Sequence, residues 1–264
     1  MKKGALASQH IIDLIRNGFL TISETCVKPS SMDLPLGQEI YSVPGIFQVA
    51  PNKTVWEIMQ EMKAQQIDPT SVLEPTKTYV VPVDMNIDLP ENMYGYANPK
   101  STSGRLDLHT RLLADGVPWY DAIPKKFDGK LWTLIQPKTF PVILNGPTAI
   151  NQLRLFNDDT RLGKEELECI MQSPGLLFLP VGEHLKKKIR YKDLVVRDDD
   201  HSLLLSLDLT SKIIGYRAKK NTAPIEYNAI KKYKSEDYFD VLEYKKGEYF
   251  YPKNRNIGSV LNVI

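Results

Sequence analysis

The stretch NPKSTSGRLDLHTRL, residues 98–112, lies between two strand-like apolar runs and carries three cationic side chains within twelve positions. We call residues 98–112 the basic segment. Lys100 offers a point charge, and the planar guanidinium of Arg105 suits the oxygens of a phosphate group. Pro99 fixes the backbone where the segment begins, and Gly104 allows a ligand to approach the main chain closely. The segment therefore predicts a site for an anion.

Hydroxyl groups add to this pattern, because Ser101, Thr102 and Ser103 follow Lys100 directly and each can donate a hydrogen bond. The same mixture of Ser, Thr and Gly is also typical of an ordinary surface turn. Arg111 leaves two alternatives open, since it can reach a phosphate group or pair with Asp115. The residues alone do not choose between these interpretations.

The runs on either side of the basic segment predict a mainly β fold. Between residues 73 and 156 the chain consists of short stretches rich in β-branched and aromatic residues, such as KTYVVPVDMNIDLP, MYGYANP and INQLRLFN. Prolines at 82, 90, 99, 137, 141 and 147 exclude long helices there. This pattern is typical of a sandwich or barrel of short strands. Trp132 and Phe140 are predicted to fill its core.

Three helices are predicted around this β region. Residues 7–18 place Ile11, Ile12, Leu14 and Ile15 on roughly one face and end at a glycine. Residues 52–66 and 160–173 show a similar periodicity. A Pro-Gly pair and a charged run then predict a domain boundary, so that the chain divides into residues 1–173, a linker at 174–201 and a further β region at 202–264.

Bulk composition excludes several classes of function. The 264 residues are 42% hydrophobic and 25% charged with a net charge of +2, so no strongly basic surface for nucleic acid is expected. No apolar run is long enough to span a membrane, and the polar residues of the first helix argue against a signal peptide. Two cysteines build no disulfide framework, which favours a reducing cytoplasm.

Several familiar catalytic patterns are absent from the sequence. It has neither common glycine-rich phosphate fingerprint, and it lacks the His-x-Glu and Pro-Cys-x-x-Cys pair of the zinc deaminases. Its four histidines have no metal-ligand spacing. Any chemistry is therefore expected to use carboxylates, hydroxyls, amides and cations, without zinc.

The order of several motifs resembles the dUTPase-like superfamily, and more narrowly the two-domain dCTP deaminases. The motifs are SSMDLPLG, YVVPVDMNIDLP, ANPKSTSGRLD, TRLLADG, QPKTFPVI, NQLRLF, SLDL and GYRAKKNT. Within the family's phosphate motif, Lys100, Ser101, Thr102 and Arg105 match position by position. The resemblance covers most of residues 8 to about 225.

The resemblance implies a distorted β jelly roll that hydrolyses dCTP to dUTP and ammonia, a step of pyrimidine deoxynucleotide metabolism that supplies dUTP and dTTP. A glutamate activates the attacking water without zinc, and Mg²⁺ arrives with the substrate triphosphate. Active sites form between the subunits of a homotrimer. Arg105 is implied to organise the water, and Lys100 to Gly104 are implied to bind phosphate.

Three further residues are candidates for the site. Asp33 matches the aspartate of an early motif and is implied to act indirectly on the metal, although it could also cap a turn. Gln152 matches a late motif, although it could be only the polar face of a strand. Asp121 is a candidate contact to the base or the sugar.

Two departures from the family favour alternative functions. Leu134 stands where the catalytic glutamate is expected, and no Asp or Glu lies between Asp128 and Asp158. The chain also ends at Ile264, soon after a second β unit begins, so it is expected to be truncated. The alternatives are a dUTP diphosphatase, with Asp128 near the place of the water-activating aspartate, and a catalytically impaired nucleotide-binding unit.

Overall fold

The structure is a computed structural model that describes residues 3–173, 175–181, 185–196, 203–204, 212–220 and 223–243. It divides into two compact units. Among the described residues, the first unit joins residues 3–159 to those between 212 and 243, and the second holds those between 160 and 204. Strands outnumber helices in the described residues, so the mainly β prediction is confirmed.

Five α-helices are described. They are α1 (Ser8–Arg16), α2 (Val55–Glu61), α3 (Ser101–Arg105), α4 (Lys164–Gln172) and α5 (Ser235–Tyr238). The helices predicted at 7–18 and 160–173 correspond to α1 and α4 and are confirmed. Within the described part of the chain, no helix is long and apolar enough to span a membrane.

Twelve strands build the main part of the first unit. They are β1 (Gly4–Ala5), β2 (Val27–Lys28), β3 (Ser31–Pro35), β4 (Ile40–Val43), β5 (Gln65–Ile67), β6 (Thr78–Asp88), β7 (Met93–Pro99), β8 (Leu108–Ala114), β9 (Ala122–Ile123), β10 (Asp128–Pro137), β11 (Val142–Ile143) and β12 (Ala149–Asn157).

All of these strands except β11 form two antiparallel sheets. The first sheet has the order β2-β3-β12-β7-β9, with β1 also paired to β12, and the second has the order β5-β4-β6-β10-β8. The chain passes from the first sheet to the second at α3, which lies between β7 and β8. The basic segment is therefore a corner of the two-sheet structure.

The core is made by the apolar side chains of alternate strand positions. One cluster joins α1 to both sheets and includes Ile11, Leu34, Ile87, Leu131 and Leu153. A second cluster continues it around Val81, Ile135 and Ile150. At about 25 cal/mol per Å² of apolar surface removed from water, such burial is the main source of stability.

Helix α2 covers the outer face of the second sheet. Val55 and Met59 pack there against Leu134 and Trp132. Phe140 is buried in another cluster. The prediction that Trp132 and Phe140 are core residues is therefore confirmed. Thr54 and Glu57 form a capping box that starts the helix.

The predicted helix over 52–66 is too long. Helix α2 ends at Glu61, and Lys63 has a φ of 57°, so the chain leaves the helix there. Gln65–Ile67 instead forms β5, which pairs with β4. Pairing with a neighbouring strand outweighs the local helical periodicity in these last residues.

The C-terminal part of the first unit contributes three more strands. They are β17 (Ile213–Ala218), β18 (Ile225–Glu226) and β19 (Phe239–Glu243). β18 runs parallel to β11, and Ile225 packs with Phe140 and Tyr238. Residues far along the chain therefore complete the core beside the basic segment.

The second unit contains α4 and four short strands. They are β13 (Phe178–Val181), β14 (Leu185–Lys188), β15 (Val195–Val196) and β16 (Leu203–Leu204). β13 pairs with β14, and β15 pairs with β16. The predicted division into residues 1–173, 174–201 and 202–264 stays a prediction.

Candidate functional site

Helix α3 divides the basic segment into an exposed and a buried face. Ser101, Thr102, Gly104 and Arg105 are exposed, whereas Ser103 is fully buried. A methyl group added at Gly104 would meet no atom within 4 Å, so the main chain is open to solvent there. The side chains predicted to bind an anion therefore share one accessible surface.

The buried side of α3 is tied to β12. The carbonyl oxygen of Ile150 accepts the backbone N–H of Lys100 at 2.8 Å and the hydroxyl of Ser103 at 2.8 Å. Tyr227 also reaches this point, with 2.9 Å between its hydroxyl and that of Ser103. Ser103 was predicted to contact phosphate, but its hydroxyl points into the protein and holds the helix from within.

Lys100 forms an ion pair at the edge of the first sheet. Its Nζ lies 2.8 Å from Oδ2 of Asp33, and the two side chains are 31% and 16% exposed. Nζ of Lys28 lies 3.7 Å from the same oxygen. Two ammonium groups thus share one carboxylate, which leaves a net positive charge beside the exposed face of α3. Asp33 lies within β3 and caps no turn.

Gln152 lies in a polar row across three neighbouring strands. On β12 it pairs with Asp33 of β3 on one side and with Asn98 of β7 on the other. Paired residues of antiparallel strands project from the same face of a sheet. Asp33, Gln152 and Asn98 therefore lie side by side on the outer face, and Lys100 follows two residues after Asn98.

Like Arg111, Arg105 is an exposed cation of the segment. It ends α3, and no ion pair or hydrogen bond joins its guanidinium to another described residue. Its five N–H donors are therefore available for a ligand.

Arg111, near the end of the basic segment, forms an ion pair with Asp121. Nη1 of Arg111 lies 2.6 Å from Oδ2 of Asp121, while Oδ1 accepts the backbone N–H of Leu112 at 2.8 Å. Asp121 is 8% exposed and has a φ of 63°. Both carboxylate oxygens of Asp121 are therefore hydrogen-bonded within the protein. In this structure they stabilise the β8–β9 connection and orient Arg111.

The alternative pairing of Arg111 with Asp115 is wrong. Oδ1 of Asp115 instead accepts the backbone N–H of Val55 at 2.8 Å, at the start of α2. Burial raises the pKa of Asp115, although the hydrogen bond from Val55 works in the opposite direction. The carboxylate of Asp115 therefore supports α2 and takes no part in the anion surface.

Leu134 lies in the core. It is 3% exposed and packs with Val49, Val55 and Met59 beneath α2. Its neighbours in the strand, Thr133 and Ile135, project toward the other face because strand side chains alternate. The position that the resemblance matches to a catalytic glutamate is therefore an apolar position under a helix.

Asp128 lies at the far end of the same strand. It is exposed at the start of β10, nine residues before Pro137. At about 3.3 Å per residue these ends are about 30 Å apart. Pro137 pairs with Leu108, just after α3. Asp128 therefore lies at the opposite end of β10 from the basic segment of its own chain.

Candidate metal ligands do not cluster in the described residues. No group of three or more His, Cys, Asp or Glu side chains there could hold a metal ion. Asp33, a carboxylate beside the basic segment, already pairs with two lysines.

Tyr227 and Lys28 are the contributors that the sequence did not indicate. Tyr227 lies 124 residues after Ser103, and no periodicity or motif connects the two. Lys28 precedes the motif that contains Asp33 and was part of no pattern. Only the folded chain brings both to α3 and β3.

The family model for the 2′-deoxycytidine 5′-triphosphate deaminase N-terminal domain matches residues 2–159, and the model for the C-terminal domain of the same enzyme matches residues 182–253. No curated protein matches the chain in sequence.

Two solved structures illustrate the similarity. A 2′-deoxycytidine 5′-triphosphate deaminase from Agrobacterium tumefaciens is 26% identical, with a TM-score of 0.77, over 93% of this chain and 72% of its own. An EIAV dUTPase is 18% identical, with a TM-score of 0.26, over 36% of this chain and 72% of its own. With the family models covering most of its length, the chain belongs to the dCTP deaminase family.

Proposed function

We propose that this member of the dCTP deaminase family binds dCTP at the basic segment and acts in the hydrolysis of dCTP to dUTP and ammonia. One observation carries the proposal. The residues that match the family's phosphate motif lie together on the exposed face of α3, beside a net positive charge. The reaction supplies dUTP, and through it dTTP, in pyrimidine deoxynucleotide metabolism.

Four side chains contact the triphosphate in this proposal. Arg105 binds phosphate oxygens with its guanidinium fork, which has no other partner among the described residues, and helps to organise the attacking water. Ser101 and Thr102 donate hydroxyl hydrogen bonds. Lys100 exchanges part of its contact with Asp33 for the phosphate, and Gly104 leaves room for the ligand at the main chain.

The other predicted residues support or border these four. Ser103 holds α3 to β12, because its hydroxyl is buried and already bonded. Asp121 orients Arg111 in the same indirect way. Gln152 and Asp33 border the anion surface at the strand edge, where they can reach the base, the sugar or the hydrated metal.

Mg²⁺ accompanies the triphosphate in this proposal. Bound with the triphosphate, the ion would supply neutralisation of phosphate charge, and Asp33 is a carboxylate that would meet its water ligands. Zinc has no role in the proposed chemistry.

Deamination needs a base that removes a proton from the water attacking C4 of cytosine, and an acid that protonates the departing ammonia. Leu134 cannot serve, because it has no titratable group and lies beneath α2. We place the carboxylate outside β10, in a site completed by another copy of the chain. A homotrimer or similar homo-oligomer is therefore part of the proposal.

A cytoplasmic location is proposed with the activity. Both cysteines, Cys26 and Cys169, are free, as is usual in a reducing compartment. Neither a nucleic acid nor a membrane is part of the proposed function, in which the partner is a small nucleotide.

A dUTP diphosphatase is the second candidate. The exposed carboxylate of Asp128 favours it, because that reaction also needs an aspartate that activates water. The distance of about 30 Å along β10 means that Asp128 of another copy would have to serve the basic segment. The diphosphatase ranks second because it needs this second copy and because the chain belongs to the dCTP deaminase family.

Calorimetric titration tests the binding step. With Mg²⁺ present, dCTP is expected to bind tighter than dCMP, because the basic segment contacts the outer phosphates. It is also expected to bind tighter than dUTP. Equal affinities for dCTP and dCMP would contradict the role of the basic segment, and tighter binding of dUTP would favour the diphosphatase.

A further inference from the structure

The inner side of α3 is held by residues from the C-terminal part of the first unit. β18 pairs with β11, and Ile225 packs in a cluster with Phe140 and Tyr238. Leu106, the residue after α3, packs against this cluster. Leu106 and Tyr227 both pack against the second core cluster, the one around Ile135 and Ile150. Residues 225–238 thus lie directly behind the helix that carries the proposed phosphate ligands.

Tyr227 makes the polar contact in this region. Its hydroxyl lies 2.9 Å from that of Ser103. Ser103 has one hydroxyl hydrogen and donates it to the carbonyl oxygen of Ile150, which can only accept. The hydrogen between Tyr227 and Ser103 therefore comes from Tyr227. Burial raises the pKa of Tyr227, so the phenol keeps its proton near neutral pH.

The segment that carries Tyr227 is itself fixed. The side-chain amide of Asn228 donates to the carbonyl oxygen of Asn145 at 2.6 Å and to the hydroxyl of Thr148 at 2.7 Å. The hydroxyl of Tyr233 accepts the backbone N–H of Glu226 at 3.0 Å. Tyr227 therefore reaches Ser103 from an anchored strand and turn.

We propose that Tyr227 is a positioning residue for the basic segment: its hydroxyl holds Ser103 in place, and α3 thereby keeps its exposed side chains in the arrangement that binds the triphosphate. The inference rests on the proposed function for the identity of the ligand. The structural link between Tyr227 and α3 rests only on the hydrogen bond between Tyr227 and Ser103.

A pair of matched variants tests the link in the full chain. Tyr227→Phe removes the hydrogen bond to Ser103 and keeps the ring. Tyr41→Phe removes a tyrosine hydroxyl elsewhere in the first unit, where it donates to Oε2 of Glu39 at 3.0 Å, so it serves as the control. Loss of one neutral hydrogen bond is expected to weaken dCTP binding roughly two- to tenfold in Tyr227→Phe. Tyr41→Phe is expected to bind as the parent does.

Two readouts separate positioning from general stability. Thermal unfolding without ligand is expected to be similar for the two variants. Amide hydrogen exchange at Gly104 and Leu106, whose N–H groups bond within α3, is expected to accelerate roughly two- to tenfold in Tyr227→Phe alone. Equal effects of both variants on binding, or unchanged exchange at α3, would overturn the proposal.

Failure of the proposed function has a different signature. If the parent chain binds no dCTP, the nucleotide assignment is wrong and hydrogen exchange alone decides the link. Faster exchange at α3 in Tyr227→Phe would then still support the positioning role for another anion. Unchanged exchange would overturn it. If dCTP binds the parent and Tyr227→Phe equally well, the proposed function survives and the positioning role does not.

Discussion

Arg105 ends α3 with its guanidinium in solvent and with no ion pair to the described residues. Its removal should leave stability within about 0.5 kcal/mol of the parent, as for most surface substitutions. A charged hydrogen bond to phosphate is worth about 1.5–3 kcal/mol. Arg105→Ala is therefore expected to weaken dCTP binding roughly ten- to hundredfold, measured by calorimetric titration with Mg²⁺.

Arg16→Ala is the matched control for this experiment. Arg16 is an exposed arginine at the end of α1, where it pairs with Glu24 at 2.9 Å. Arg16→Ala should change neither the affinity for dCTP nor the free energy of unfolding by much, because exposed ion pairs contribute little to stability. An Arg105→Ala variant that binds dCTP as tightly as the Arg16→Ala variant would remove Arg105 from the site.

Asp115 gives a prediction about pH. Burial raises its pKa above the ordinary value of 3.8, so the folded chain binds this proton more readily than the unfolded chain. The free energy of unfolding therefore falls as pH rises from about 3.8 through the raised value. Asp115→Asn avoids this loss and can still accept the N–H of Val55.

Thermal unfolding at two pH values checks the effect. The melting temperature of Asp115→Asn should exceed that of the parent at pH 7, and the gap should narrow near pH 4. A lower melting temperature at pH 7, or a gap that widens in acid, would show that ionised Asp115 stabilises the fold.

Individual residues of the site could be predicted only in part. The exposed positions of Ser101, Thr102 and Arg105 follow from side chains that prefer water and from a turn-forming composition. The inward direction of Ser103 could not be predicted, because its partners Ile150 and Tyr227 lie 47 and 124 residues away.

Because α2 covers Leu134, this position is not open to substrate. The helix covers the outer face of the second sheet, and Leu134 lies beneath it. Leu134→Glu should lower the free energy of unfolding by about 3–5 kcal/mol, because a buried charge without a partner is expensive, and it should not raise turnover above that of the parent. Urea unfolding followed by circular dichroism measures the change.

Leu134→Met provides the comparison for this substitution. It conserves volume and apolar character, so it should cost less than about 1.5 kcal/mol. If the glutamate variant proved as stable as the methionine variant and gained turnover, the face beneath α2 would be open to substrate and the placement of Leu134 in the core would be wrong.

Elements differed in how well the sequence predicted them. Helix α1 and strands β6, β7 and β12 have a clear apolar periodicity and lie where expected. The C-terminal end of α2 does not lie where expected. The residues after it form β5, which pairs with β4, and a local sequence pattern cannot show that pairing.

The first compact unit contains sequence from both family domains. The C-terminal family model matches residues 182–253, yet the described residues 212–243 belong to the same compact unit as residues 1–159. Ile225 and Tyr227 complete the core and the hydrogen bonds behind α3. Such contacts between distant parts of the chain depend on the whole fold, and no local signal in the sequence predicts them.

The central claim concerns the whole molecule and is tested most directly by its products. The full chain is incubated with dCTP and Mg²⁺, and nucleotides and ammonia are measured over time. The account predicts dUTP and ammonia in equal amounts, with turnover reduced in Arg105→Ala and retained in Arg16→Ala. Release of dUMP and pyrophosphate without matching ammonia would contradict it, as would dCTP that binds and is returned unchanged.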